Sequence, residues 1–242
     1  MRQALGIDAL SGVYARLAQR YDWQHRLLTV AADQRGRQML IERCVRAGDR
    51  VLDAGAGTGS TALLAARKAG REGKVTLFDL SDDMLEVARD KAALAGLEER
   101  LEFYTGDMVR LPFPEAFFDV VLSTYSLCPL YDPAKAAQEL FRVLRPGGKL
   151  GVAHSVEPQN SATKWLADKI ENIAWRFPLV SMGCRAVDVL PTLEAAGGRV
   201  VFLKHIGVPL WPFAVLVVEK PAPPKSDHFR MGDVSINVPL RA

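Results

Sequence analysis

One ten-residue stretch restricts the fold more than any other. Val51-Leu52-Asp53-Ala54-Gly55-Ala56-Gly57-Thr58-Gly59-Ser60 is an apolar run that closes on an acid and then places three glycines at alternate positions, with the helical run Ala62–Lys68 behind it. Glycine lets the chain turn sharply and lets a ligand approach bare backbone, while the following helix offers unpaired N–H groups to electronegative atoms. A strand that enters a helix through such a turn opens a βαβ unit and carries a ligand loop.

The rest of the chain repeats that habit. From residue 50 onward short β-rich runs alternate with helical patterns, as in a parallel sheet covered on both faces. The strands read as Arg50–Ala54, Lys74–Leu80, Leu101–Tyr104, Phe118–Thr124, Lys149–His154, Arg199–Ile206 and Phe213–Lys220. The last two are separated only by Gly207–Pro212, so they pair as an antiparallel hairpin at the sheet edge. The expected fold class is α/β: a seven-stranded, mostly parallel, doubly wound sheet, Rossmann-like, with an antiparallel last strand and N-terminal helices. Ser81 caps a helix with Asp82 and Asp83 in its first turn. Asp132-Pro133 opens another, with Pro146-Gly147-Gly148 as its stop. The organisation is a helical lid or substrate region over residues 1–49, a main domain over 50–220 with a helical insertion at 157–198, and an irregular tail at 221–242 that holds four prolines.

Dinucleotides and S-adenosylmethionine both use a glycine loop of this kind, and the spacing separates them. A dinucleotide loop wants glycines at its first, third and sixth positions, but here the sixth is Ser60 and Gly59 is fifth. Asp53 would repel a pyrophosphate, whereas the ammonium group of a methionine moiety can pair with it directly or through water. Asp79 closes the second strand, where a carboxylate can accept from two ribose hydroxyls. Gly106-Asp107-Met108 closes the third, with an acid for an adenine amino group and an apolar side chain for the ring. Three acids at three successive strand ends suit the sulfonium cofactor and not a phosphate-rich ligand.

With Phe118-Asp119-Val120-Val121 and Arg142-Val143-Leu144-Arg145-Pro146-Gly147-Gly148, these motifs resemble the class I S-adenosylmethionine-dependent methyltransferases over residues 45–156. The resemblance implies that Asp53, Gly55, Ala56 and Gly57 belong to the methionine end of the cofactor site and Asp79 to the ribose. It places Asp107, Met108 and Leu80 at the adenine and Ser123 or Thr124 on the floor below the methionine part. Tyr21-Asp22, Met84-Leu85, Leu111-Pro112-Phe113-Pro114 and Phe117-Phe118-Asp119 are similar to the UbiE group of quinone C-methyltransferases, from which the chain departs at Tyr125-Ser126-Leu127-Cys128-Pro129. The C-terminal third, with Trp175, Gly183-Cys184-Arg185 and Lys204-His205-Ile206, looks more like alkyl-thiol and phospholipid methyltransferases.

His154, at the end of the fifth strand, is the candidate general base. Tyr21, Tyr125 and Cys128 are candidate substrate contacts, Cys128 as an apolar filler rather than a nucleophile. A net charge of +3 gives no reason to expect a nucleic-acid partner, and three widely spaced cysteines form neither a disulfide scaffold nor a metal site. The first fifty residues nevertheless hold nine Arg against five acids. With Trp165, Trp175, Phe177 and Trp211 they suggest a lipid-like acceptor and peripheral membrane contact of an otherwise cytoplasmic enzyme. The other readings are a polar soluble acceptor, or a cofactor-binding module that transfers nothing.

Overall fold

A computed structural model describes residues 6–28, 32–174, 176 and 184–222. Three helices open it, α1 (Ile7–Leu17), α2 (Tyr21–Leu28) and α3 (Ala32–Cys44). Then β1 (Arg50–Ala54), α4 (Ser60–Ala69), β2 (Lys74–Asp79), α5 (Asp82–Ala95), β3 (Leu101–Thr105) and β4 (Phe118–Thr124) alternate as expected. They are followed by α6 (Pro133–Val143), β5 (Leu144–Ser155), α7 (Ser161–Ala174), α8 (Leu190–Ala195), β6 (Arg199–Val208) and β7 (Trp211–Glu219). Trp175, Phe177, Gly183 and the tail from residue 223 lie outside the described residues.

The seven strands run in the order β3-β2-β1-β4-β5-β7-β6. All pairings are parallel except those of β7, which is antiparallel to both β5 and β6. The hairpin therefore sits with β6 outermost and β7 inside. The continuous apolar run Phe213–Val218 is buried throughout because both faces of β7 are covered. The chain leaves β1 toward β2 on one side and finds β4 on the other, so the order reverses between β1 and β4 and a crevice opens at their carboxyl ends.

Side-chain alternation sorts the sheet into two cores. Val51, Leu77, Leu122 and Ala153 pack with Leu40, Ile41 and Cys44 of α3 and with the small residues of α4 and α5. Leu52, Phe78, Val121, Leu150 and Val152 pack with Leu140 and Phe141 of α6 and Leu193 of α8. Asp53 follows Leu52 and so points into the α3 side of the sheet, although it is a carboxylate with 0% exposure.

Both proposed caps form: Ser81 Oγ accepts from the Met84 amide, and Asp132 Oδ1 from the Lys135 amide at 2.9 Å. The α6 helix, however, ends at Val143 rather than at the Pro-Gly-Gly stop. Leu144 pairs with Phe118, Lys149 pairs with Val120, and the residues between them form a bulge at the start of β5. Arg142 and Arg145, read above as family motif, brace this bend. Arg142 pairs with Glu139 and donates to the carbonyls of Leu111 and Phe113, while Arg145 pairs with Asp119. They tie Leu111, Phe113 and the start of β4 to this bend.

Candidate active site

A cleft lies at the carboxyl ends of β1 to β4. Gly55 and Gly57 form one wall, Asp79 and Leu80 a second, Gly106, Asp107 and Met108 a third, and Thr124, Tyr125 and Ser126 the floor. Of the residues expected for the site, Gly55, Gly57, Asp79, Leu80, Asp107, Met108, Thr124 and Tyr125 lie together, and Tyr21 joins them from α2.

The walls have local causes. The amides of Gly55 and Ala56 donate to the Phe78 carbonyl at 2.7 and 3.2 Å, which fastens the glycine loop to the end of β2. Gly55 has φ +71°, and a Cβ there would come within 2.2 Å of Ser126 Cβ and 2.7 Å of Met108 Cε. Only glycine turns the chain under those two side chains. Asp79 accepts from the Gly57 amide at 2.7 Å with Oδ2 and from the Ser81 amide at 2.9 Å with Oδ1. Burial raises its pKa, and the amides of Ser81, Gly57 and Leu80 oppose the rise. Each oxygen keeps a further lone pair for a ligand hydroxyl. Asp107 accepts from the Val109 amide at 3.0 Å and from the Tyr131 hydroxyl at 2.7 Å, and that bond pushes the Tyr131 phenol up to about 12.

Asp53, near the end of β1 and before Gly55, is fully buried and does not itself line the cleft. Burial lifts its pKa to about 7, opposed by the charge of Arg37 and the Ala62 amide and reinforced by Asp79. Neither carboxylate oxygen has a hydrogen-bond partner of good geometry among the described residues, and neither has Nε of Arg37. Arg37 NH1 donates to Thr61 Oγ1 at 2.6 Å and to Thr124 Oγ1 at 2.7 Å, and its guanidinium lies 5.1 Å from the centre of the Tyr125 ring. Arg37 also lies 4.0 Å from the buried Asp33 carboxylate, whereas a buried carboxylate without a hydrogen-bond partner, as Asp53 is, is costly by itself and suits a ligand with an ammonium group. The residues present therefore fit S-adenosylmethionine.

Besides Asp53, four expected site residues do not line the cleft. Ala56 is buried in the α3-side core. Ser123 is fully buried, and its Oγ lies 2.7 Å from Ser126 Oγ, so the hydroxyl at the floor belongs to Ser126. Tyr125 adopts φ +61°, and this turn after β4 brings the later residue forward. Cys128 is 1% exposed and its Sγ accepts from the Ser155 amide at 3.2 Å, in keeping with a filler. His154 shares the sheet face of Leu150 and Val152, 3% exposed, and its Nδ1 has no partner among the described residues. Burial drives its pKa down to about 4, against the pull of Asp188. An imidazole so weakly basic and off the cleft is a poor acceptor for a substrate proton, which corrects the expectation of a base at this position.

From the N-terminal helices, expected as a lid or substrate region, the sequence singled out only Tyr21 for the site. Ile7, Leu10, Ser11 and Tyr14 of α1 close the cleft beside Tyr21, with Pro129, Leu130 and Tyr131 opposite. Tyr14 and Tyr21 pack with Val13, Leu17 and Cys184. Burial raises the pKa of Tyr14, Tyr21 and Tyr125, so all three phenols are protonated at neutral pH. The apolar positions of α1 recur at helical spacing, but nothing local says that this helix covers a site.

The model of a methyltransferase domain matches residues 46–196. A ubiquinone/menaquinone biosynthesis C-methyltransferase UbiE from Teredinibacter turnerae is 36% identical over 155 residues, which are 64% of this chain and 62% of that protein. The chain thus spans less than two thirds of the length of this curated relative. Among solved structures, the [4+2]-cyclase SpnF superposes with a TM-score of 0.65 at 24% identity, over 86% of this chain and 96% of that one. A SAM-dependent methyltransferase from Aquifex aeolicus does so with a TM-score of 0.55 at 24% identity, over 76% and 88%. These likenesses establish the fold, and the matched domain, which covers more than half of the chain, establishes the family. The chain belongs to the methyltransferase domain family, whose cofactor is S-adenosylmethionine.

Proposed function

We propose that the chain transfers the methyl group of S-adenosylmethionine to a neutral, lipophilic acceptor held under the α1–α2 roof. The observation that carries this reading is the chemistry of the roof. Ile7, Leu10, Pro129 and Leu130 are apolar, the tyrosines are protonated, and among the described residues no Lys, Arg or His lines the cleft. A phosphate-bearing headgroup would find no cation there, whereas an aromatic or prenylated ring finds apolar surface and hydroxyl donors. The UbiE relative, by its name a quinone C-methyltransferase, is in keeping with an acceptor of this kind.

In this reading Asp79 takes the ribose, and Asp107 with Met108 the adenine. Asp53 takes the ammonium group. The bound cofactor supplies a methyl group on a sulfonium that departs as a neutral thioether, so the protein needs to position, desolvate and orient rather than to activate the donor. The Tyr125 hydroxyl donates to the Asp33 carbonyl, and Tyr14, Tyr21 and Tyr125, being protonated, cannot accept a proton from the acceptor. The acceptor must bring its own nucleophile, such as an ionised thiol or phenol, or a ring carbon made electron-rich by its own hydroxyl. Turnover measured as S-adenosylhomocysteine formed with short-chain quinols and lipophilic thiols, against amines and phospholipids, tests the reading. Preference for the phosphate-bearing or polar acceptors contradicts it.

A further inference from the structure

The carboxylate of Asp22, in the first turn of α2, joins three elements that are far apart in the sequence. Its Oδ1 accepts from Thr58 Oγ1 at 2.6 Å and from Ser60 Oγ at 3.3 Å, in and just after the glycine loop. Its Oδ2 is paired with Lys91 Nζ of α5, which also donates to the Thr58 carbonyl at 3.0 Å. An isolated surface ion pair would contribute little, and the side chains of Lys91 and Asp22 are 28% and 44% exposed. Here two hydroxyls and an ammonium converge on one carboxylate, and Thr58 is only 2% exposed, so the network holds a single geometry.

Its position matters more than its strength. The residue before Asp22 is Tyr21, which roofs the cleft. The residue before Thr58 is Gly57, whose amide is held by Asp79 at 2.7 Å. Two neighbouring loop residues thus connect the acid at the end of β2 to the roof. Besides this clasp, α1 packs against α5 and buries Leu10, Val13 and Leu17, the last two in a small cluster with Tyr14, Tyr21 and Cys184.

We propose that Asp22 is a positioning residue that couples the cofactor loop to the acceptor roof. When the loop is ordered by the cofactor, the Asp22–Thr58–Lys91 clasp holds Tyr21, and through it Tyr14, over the acceptor, so the roof is set after the cofactor has bound. The inference rests on the cofactor placement proposed above. Coupling between two sites is reciprocal in free energy, so a ligand that orders the loop must also protect the helices clasped to it.

Hydrogen exchange of the full chain with and without S-adenosylhomocysteine tests the coupling. In the wild type the ligand should slow exchange across α1 and α2 by about fivefold or more, at the low end of typical couplings. In Asp22→Ala and Lys91→Met that increment should fall to near nothing, while protection of the glycine loop and the start of α5 persists. Asp22→Asn keeps an oxygen for Thr58 and Ser60 but loses the ion pair, so it should retain part of the increment. A residue that only stabilised α2 would change exchange equally with and without ligand. Thr58→Val, close in shape, replaces Asp22→Ala if that variant fails to fold. A wild type that binds the ligand without protecting α1 and α2, or variants that protect them as the wild type does, overturn the coupling alone. A wild type that does not bind S-adenosylhomocysteine overturns the cofactor placement and the coupling with it.

Discussion

If Asp53 receives the ammonium group of the cofactor, cofactor affinity must follow the ionisation of a carboxyl whose pKa is about 7. The protonated acid cannot pair with a cation, so each proton that must leave weakens binding below that value. Lowering the pH from 8 to 5.5 moves Asp53 from about nine-tenths ionised to about 3% ionised. The resulting loss is about 30-fold in affinity, or about 2 kcal/mol. Calorimetric titration of S-adenosylhomocysteine at several pH values, in buffers of different ionisation enthalpy, measures both the affinity and the proton released. The dissociation constant should rise about tenfold per unit well below 7. About half a proton should be released per ligand at pH 7. Asp53→Asn should bind more weakly at pH 8 and lose the pH dependence. A wild-type affinity constant from pH 5.5 to 8, or the same slope in Asp53→Asn, refutes the pairing.

The same two buried groups that fail to find partners also set opposite pH dependences of stability. His154, with its pKa lowered to about 4, leaves the unfolded chain holding the extra proton between about 4 and 6.5, so its contribution to stability rises with pH there, by up to about 3 kcal/mol. Asp53, with its pKa raised, makes the folded chain hold the extra proton between about 4 and 7, so its contribution falls over nearly the same window. Denaturant titrations should show that His154→Leu makes stability fall more steeply with rising pH than in the wild type, and that Asp53→Asn makes it rise. Unchanged slopes in both variants contradict the assigned environments. Gly55→Ala should weaken S-adenosylhomocysteine binding at least about 100-fold or unfold the chain, because the new methyl meets Ser126 and Met108 at a positive φ; near-normal binding measured by calorimetry contradicts the described turn. Gly36→Ala would bring a methyl within 2.3 Å of the Tyr125 hydroxyl. It should cost about 1–3 kcal/mol in a thermal or denaturant melt, the usual range for overpacking, and a neutral result places Tyr125 elsewhere.

The sheet was legible because its signals are local. Alternating strands and helices, the Ser81 and Asp132 caps and the short link before β7 depend on residues a few positions apart. The acids of the cofactor walls were legible for the same reason, since Asp79 and Asp107 sit at strand ends that the pattern already marked. Other parts of the site depend on packing across the fold. Arg37 meets Thr124 from 87 positions away, and Asp22 meets Lys91 from 69. The misplaced base was a matter of parity: one residue along β5 separates the face of Ala153 from that of His154, and the bulge after Leu144 hides which is which. Ser126 displaced Ser123 because Tyr125 takes a left-handed turn that no residue type there announces. The stop of α6 was misread because Pro146-Gly147-Gly148 ends helices and builds bulges equally well.

The account stands most directly on where the methyl group goes. S-adenosylmethionine carrying a labelled methyl group, incubated with the full chain and a total lipid extract alongside a pool of polar metabolites, partitions its product between organic solvent and water. Label should enter the organic phase with S-adenosylhomocysteine formed in equal amount, and Asp79→Ala should abolish it together with cofactor binding. Label confined to the aqueous phase, with cofactor binding intact, would contradict a lipophilic acceptor under the tyrosine roof.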